Sequence, residues 1–132
     1  VATEILGYKI AQKDGFVAYL DVDEDFDSFA KKVALAFGLP HAKCVKSSVR
    51  VKRVALTTGS GCSLLKSIDA DCFLTGDVKY HDAMEAMSIN LSLIDIGHFE
   101  SERFFAQILH EHLKILGLEA IISSSKNPFT YI

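Results

Sequence analysis

The chain has 132 residues, 49% of them hydrophobic, with 17 acidic and 14 basic side chains and a formal net charge of −3. That is the length of one domain able to bury a core without staples, with no apolar run near the roughly 20 residues of a membrane span, and its net negative charge excludes a nucleic-acid binder that works by phosphate neutralisation. Three cysteines (Cys44, Cys62 and Cys72), odd in number and without CxxC spacing, point to reduced thiols in a cytoplasmic protein.

In chain order, the sequence opens at Val1 with no methionine and no signal-peptide pattern, which gives the expectation that processing or truncation removed a preceding segment. Residues 7–13 and 15–23 read as two short strands, joined by a hairpin turn at Asp14-Gly15. Phe26, Phe29, Ala30, Val33 and Phe37 then repeat at helical spacing, after an acidic stretch suited to the positive end of a helix and before Gly38-Leu39-Pro40, which ends it. Lys43, Lys46, Arg50, Lys52 and Arg53 follow with no acid among them; a phosphate-binding patch and a strand over 49–56 with solvated basic side chains are both open readings. That strand runs into Thr57-Thr58-Gly59-Ser60-Gly61 and a helix carrying Leu64, Leu65 and Ile68. Gly59, Ser60 and Gly61 thus form a tight turn whose N–H groups are candidates to face an anion, although neither a phosphate-loop lysine nor a full dinucleotide fingerprint is present.

Residues 71–102 carry the densest signal. Asp71 to Thr75 is an apolar run closed by Gly76, Tyr80, Ala83, Met84 and Met87 mark a helix, and Leu91 to Ile96 is a second apolar run closed by Gly97. The loop after each run bears a carboxylate and a histidine: Asp77 and His81 in one, His98 and Glu102 in the other. In an open α/β sheet the loops beyond the carboxyl ends of the strands bind ligands, so the two are expected to lie side by side and build one site. A helix starting near Ser101, with that serine as its cap, leaves His98 in the loop and Glu102 in the first turn. Imidazole plus carboxylate is a workable pair for a borderline divalent metal, and spacing alone leaves that reading level with a loop histidine beside a helix-dipole partner. Further on, Phe105, Ile108, Leu109, His112, Leu113 and Leu116 share one helix face ended by Gly117, with His110 at the surface and His112 at the core edge. Residues 119–123 read as a final buried strand. The predicted fold is α/β with α+β character: a layered mixed sheet with helices on its faces, an N-terminal hairpin, then strand–helix alternation.

The segments VKRVALTTGSG, FLTGDVKYHDAMEA and LIDIGHFESE, in that order and spacing, resemble the C-terminal half of the Nif-three-like family of dinuclear-metal proteins, often labelled GTP cyclohydrolase I type 2. The resemblance covers roughly Gly7 to Phe129. It implies an α/β protein about twice this length, forming homohexameric rings, with two divalent ions (zinc, iron or manganese) in each complete subunit. The family's Gly-His-x-x-x-Glu motif supplies two metal ligands, which fall on His98 and Glu102. Its Thr-Gly-Asp/Glu…His motif falls on Thr75, Gly76, Asp77 and His81, which would line the site, with Asp77 or His81 orienting water or substrate. Apart from the motif, Asp77, His81 and Asp95 are candidate helpers in holding metal.

The other family ligands belong to a His-His-Pro motif and an aspartate in the N-terminal half, and this chain has no His-His pair. The resemblance therefore implies that the chain, a single domain over 1–132, is the C-terminal part of a longer protein with an incomplete site, residues 1–43 matching the middle segment and 44–132 bearing the motifs; a naturally short homologue without metal is the other reading. Two function classes stay open: part of a metal-dependent hydrolase acting on nucleotides or other phosphate-containing substrates, and a non-catalytic metal-binding or interaction module whose ring is its working form.

Overall fold

The computed structural model describes residues 1–130 and 132. Its centre is one mixed sheet of six strands: β1 (Ile10–Asp14), β2 (Val17–Asp25), β3 (Lys43–Val45), β4 (Arg50–Ser60), β5 (Cys72–Gly76) and β6 (Ser92–Asp95), in the order β1-β2-β4-β5-β6-β3. The β1–β2 hairpin and β2–β4 pair are antiparallel, β4, β5 and β6 are mutually parallel, and β3 closes one edge antiparallel to β6. Alternation along the strands sends side chains to two cores. Leu20, Val54, Leu56, Leu74 and Ile94 face α1 (Phe26–Phe37), which buries Phe29, Val33 and Phe37; Val17, Tyr19, Ala55, Phe73 and Leu93 face the other way. That second face is covered by a 3₁₀ turn at Cys62–Ser67 and by α2 (Tyr80–Ser88).

Helix α1 starts and stops as its residues dictate. Asp25 caps it, its carboxylate accepting from the Ser28 N–H at 3.0 Å, and Gly38 ends it at φ 69°. Four of the five basic side chains are engaged: Lys43 pairs with Asp95, Lys46 with Asp27 and Arg50 with Asp23, while Arg53 stacks on the Tyr19 ring and bonds the Asp69 carbonyl. A phosphate-binding surface there would need those cations free.

Several expectations are corrected. β4 continues through Gly59 to Ser60, because Ser60 pairs with Gly76 of β5, so the expected Gly59-Ser60-Gly61 turn is strand as far as Ser60. The element after it is a six-residue 3₁₀ turn. The helix after β6, α3 (His98–Glu102), begins at His98, so Ser101 lies inside it. Residues 119–123 form no strand: no strand pairs with them, and Ile121 is 99% exposed. The final helix α4 (Phe104–Ile115) buries no residue fully, so its apolar face, including Phe105 and Leu109, is largely open. His112 is exposed and His110 half-buried, the reverse of the expected placement. Among the described residues, no helix is long and apolar enough to cross a membrane.

At the hairpin end, Glu24 accepts from Tyr8 and from Lys32 at 2.8 Å. The Lys32 hydrogen bond holds the Glu24 carboxyl below its ordinary value of 4.5, with the Tyr8 bond adding to it. A depressed folded-state pKa gives stability that is present above the unfolded value and lost as pH falls through the folded one. Glu24→Gln is therefore expected to flatten the acid limb of the stability curve below about pH 4.5, and urea midpoints between pH 3 and 6, by equilibrium unfolding, check it. Phe37→Ala, at a wholly buried site, is expected to cost about 3–5 kcal/mol in the same assay.

Candidate metal centre

The carboxyl ends of β4, β5 and β6 converge. Between Leu56 and Ser60, four steps on β4 match two steps on β5 (Leu74 to Gly76), so β4 bulges there and Gly59 takes φ 68°. Such bulges re-aim a strand beside a site. Two wholly buried hydroxyls hold the bulge. Ser101 Oγ accepts from the Gly59 N–H at 2.9 Å and donates to the His98 carbonyl at 3.0 Å; Thr75 Oγ1 accepts from the Gly61 N–H at 2.8 Å and donates to the Gly59 carbonyl at 3.2 Å. Gly76 lets α3 approach: a Cβ there would lie 2.7 Å from the Gly97 carbonyl carbon and the His98 nitrogen.

Three side chains meet above this backbone. His98 Nδ1 lies 2.6 Å from Asp77 Oδ2, and Nε2 lies 3.2 Å from Glu102 Oε2. The Asp77 hydrogen bond raises the His98 pKa, and Glu102 adds to the rise while desolvation opposes it. Gly59 leaves room for Glu102, whose Oε1 occupies the place a Cβ would take. Because the two carboxylates address opposite nitrogens of one ring, they do not converge on a common point. Among the described residues, no group of three or more His, Cys, Asp and Glu side chains forms a metal cage. Nε2 and the Glu102 carboxylate are the pair that does converge. Adjacent ligands about 2.0–2.2 Å from a shared ion stand about 3 Å apart, so this pair fits two positions of a coordination shell.

Asp95 sits behind the cluster and is engaged on both oxygens: Oδ2 meets Lys43 Nζ at 2.6 Å and the Val78 N–H at 3.2 Å, and Oδ1 accepts from the Gly97 N–H at 3.0 Å. It ties the Asp77 loop to the His98 loop. The expectation that the two loops lie side by side matches this arrangement. His81 is exposed in the first turn of α2, edge-on to Tyr80, and among the described residues no hydrogen bond joins it to Asp77, His98 or Glu102. The anion-facing turn at Gly59-Ser60-Gly61 is corrected: the N–H groups of Gly59 and Gly61 already bond Ser101 and Thr75. Thr75 and Gly76 are buried beneath the site and shape it from below. Sequence reasoning missed the Ser101 latch and the anchoring role of Asp95; the inward spacing of Ser101 three residues after His98 was the available signal.

The cluster opens into a cleft of about 730 Å³ bounded by Phe99, Arg103, Phe105, Ile122 and Phe129. Asn127 Nδ2 donates to Glu100 Oε1 at 2.7 Å and pins the tail across it. Burial raises the pKa of all three thiols, Cys44, Cys62 (up to about 12) and Cys72, which disfavours the thiolate form.

Residues 2–128 match the family model described as Duf34/NIF3 (NGG1p interacting factor 3). The chain belongs to the Duf34/NIF3 family. It is 50% identical to a Campylobacter jejuni protein named GTP cyclohydrolase 1 type 2 homolog, over 97% of this chain and 54% of that protein. It is 45% identical to a Helicobacter pylori protein named GTP cyclohydrolase 1 type 2, over 82% and 45%. The crystal structure of a Staphylococcus aureus hypothetical protein superposes with a TM-score of 0.74 at 28% identity, covering 89% of this chain and 43% of that one. The chain thus spans about half the length of these Duf34/NIF3 relatives.

Removing the Ser101 hydroxyl would strand the buried Gly59 N–H, which costs about 1–3 kcal/mol. Ser101→Ala is expected to lose that much in urea unfolding, and Gly76→Ala more, since its Cβ meets backbone that cannot step aside. Equal stabilities of Gly76→Ala and the parent chain would show that α3 does not need this approach.

Proposed function

We propose that this chain carries part of a dinuclear-metal-dependent hydrolase of the GTP cyclohydrolase 1 type 2 kind, acting on a nucleotide or another phosphate-containing substrate. The observation that carries the reading is the convergence of His98 Nε2 and Glu102 Oε2 at 3.2 Å, both side chains about half exposed at the mouth of the cleft. A nitrogen with a carboxylate oxygen suits zinc, iron or manganese. Two donors are fewer than the three or four a stable site takes, so the remaining ligands are assigned to sequence outside these 132 residues, in keeping with relatives about twice as long.

When bound, a pair of divalent ions acidifies a water and neutralises charge developing on a phosphate or purine ring. This chain's own part is to hold and to shape. His98 and Glu102 would hold the ions, Gly59, Thr75, Gly76 and Ser101 fix the backbone beneath them, and Phe99, Phe105 and Phe129 give the cleft apolar walls suited to a flat base. The names of the Campylobacter and Helicobacter relatives support the substrate class. His81 and Ser60 remain candidates for contacting the outer part of a substrate, since both are exposed near the same end of the sheet.

A second reading rests on a different observation. Helix α4 and the segment after it expose Phe105, Ile115, Leu116, Leu118 and Ile121, five large apolar side chains within 17 residues of sequence. We assign this face to contact with further protein, either the rest of a longer chain or other copies in a ring, and that assembly would serve a non-catalytic module equally well.

Elemental analysis and turnover separate the two. The full-length protein is expected to carry two divalent ions per subunit, and His98→Ala combined with Glu102→Ala is expected to lose at least one. Turnover of a nucleotide panel with manganese or zinc should vanish with it. A full-length protein that carries no metal, or a double variant that keeps both ions, overturns the metal reading; bound metal without turnover leaves the module.

A further inference from the structure

We infer that Asp77 is a positioning residue that fixes which nitrogen of His98 faces Glu102, an inference that rests on the metal reading above. Asp77 Oδ2 stands 2.6 Å from Nδ1. An ionised carboxylate has no proton to donate, so Nδ1–H is the donor in this bond. With that proton held on Nδ1, the lone pair of the neutral ring belongs to Nε2, on the side of Glu102 Oε2. Asp77 thereby selects the tautomer and the ring orientation that present a metal-binding nitrogen beside the glutamate. It stands on the far side of the ring from Glu102, so it acts through His98 and not beside it.

The backbone makes this arrangement reproducible. Asp77 takes φ 56°, a left-handed conformation that aspartate and asparagine tolerate better than most residues and glycine adopts freely. Asp95 grips the next N–H, at Val78, with one oxygen and the Gly97 N–H with the other, so the loops bearing Asp77 and His98 hang from a single carboxylate. Lys43 steadies that carboxylate at 2.6 Å. The competing account is an ordinary surface ion pair between two half-exposed side chains, which would have little consequence.

The test uses the full-length protein with zinc as the probe, comparing the parent with Asp77→Gly, Asp77→Asn and His98→Ala. The glycine variant removes the carboxylate without straining the turn. The asparagine variant keeps the turn and an oxygen that can accept from Nδ1–H. Zinc affinity is read by chelator competition, and the state of the His98 ring by its ¹⁵N resonances in metal-free protein. Asp77→Gly is expected to weaken zinc about 10–100-fold and to shift the Nδ1 resonance, as loss of a carboxylate behind a metal-bound histidine does. Asp77→Asn is expected to fall between parent and glycine variant, and His98→Ala to lose the ion at this position. Unchanged affinity with unchanged ring resonances in Asp77→Gly overturns the inference. So does a loss as complete as that of His98→Ala with the ring unmoved, which would make Asp77 a ligand itself. If the parent binds no zinc the metal reading fails, yet the ring resonances still decide whether Asp77 sets the tautomer. If Asp77→Gly does not fold, Asp77→Asn and the parent Nδ1 resonance decide it.

Discussion

The Ser101 hydroxyl is the contact on which the site depends. It is wholly buried, accepts from the bulged strand at Gly59 and donates to the carbonyl of His98, so one oxygen joins β4 to the helix that carries the candidate ligands. Thr75 does the same between β5 and the bulge. A buried N–H left without a partner costs more than the bond itself contributes, so these hydroxyls constrain geometry more than they add stability. Glycines at 59 and 76 permit the approach, and the hydroxyls then fix it.

The cluster above follows from that floor. Parallel strands end together, so the loops after β5 and β6 emerge as neighbours, with Thr75 opposite Asp95 in the register. Asp95 converts that adjacency into a fixed distance by bonding one N–H from each loop. His98 then stands between two carboxylates that hold different nitrogens. The raised histidine pKa is the electrostatic record of the same arrangement, with the Asp77 bond as its main cause.

Much of the fold was legible because it rests on local chemistry. The Asp25 cap, Gly38 stop and apolar spacing of α1 all lie within one helix, and the hairpin turn at Gly15 needs no distant partner. What was missed depends on contacts far apart in sequence. Strand β3 has only three residues and exists through pairing with β6, almost fifty positions on. Gly59-Ser60-Gly61 reads as a turn until Gly76 supplies a partner for Ser60. Ser101 resembles a cap because serine so often is one, but Gly97, at φ 73°, lets the chain enter the helix three residues earlier. Residues 119–123 carry the apolar character of a buried strand, and character alone does not provide a neighbouring strand. For the site, His98 and Glu102 came from a family motif and not from spacing, which could not tell a ligand pair from a loop histidine beside a helix-start acid.

The open helix and the candidate site are one surface. Helix α3 ends at Glu102 and α4 begins at Phe104, with only Arg103 between them, and Arg103 reaches back to the Phe37 carbonyl at 3.3 Å. Phe104 packs edge-on against Phe37, so the start of α4 is tied to the core while its length stands clear. Phe105 and Phe129, exposed apolar side chains, also wall the cleft onto which His98 and Glu102 open. A body that covered α4 would therefore narrow the cleft as it buried the helix. Excluding water there would strengthen the hydrogen bond from His98 Nδ1–H to the Asp77 carboxylate, because the same pair attracts more strongly in a lower dielectric. Covering the apolar face, which the hydrophobic term favours, and narrowing the mouth of the polar site would then go together.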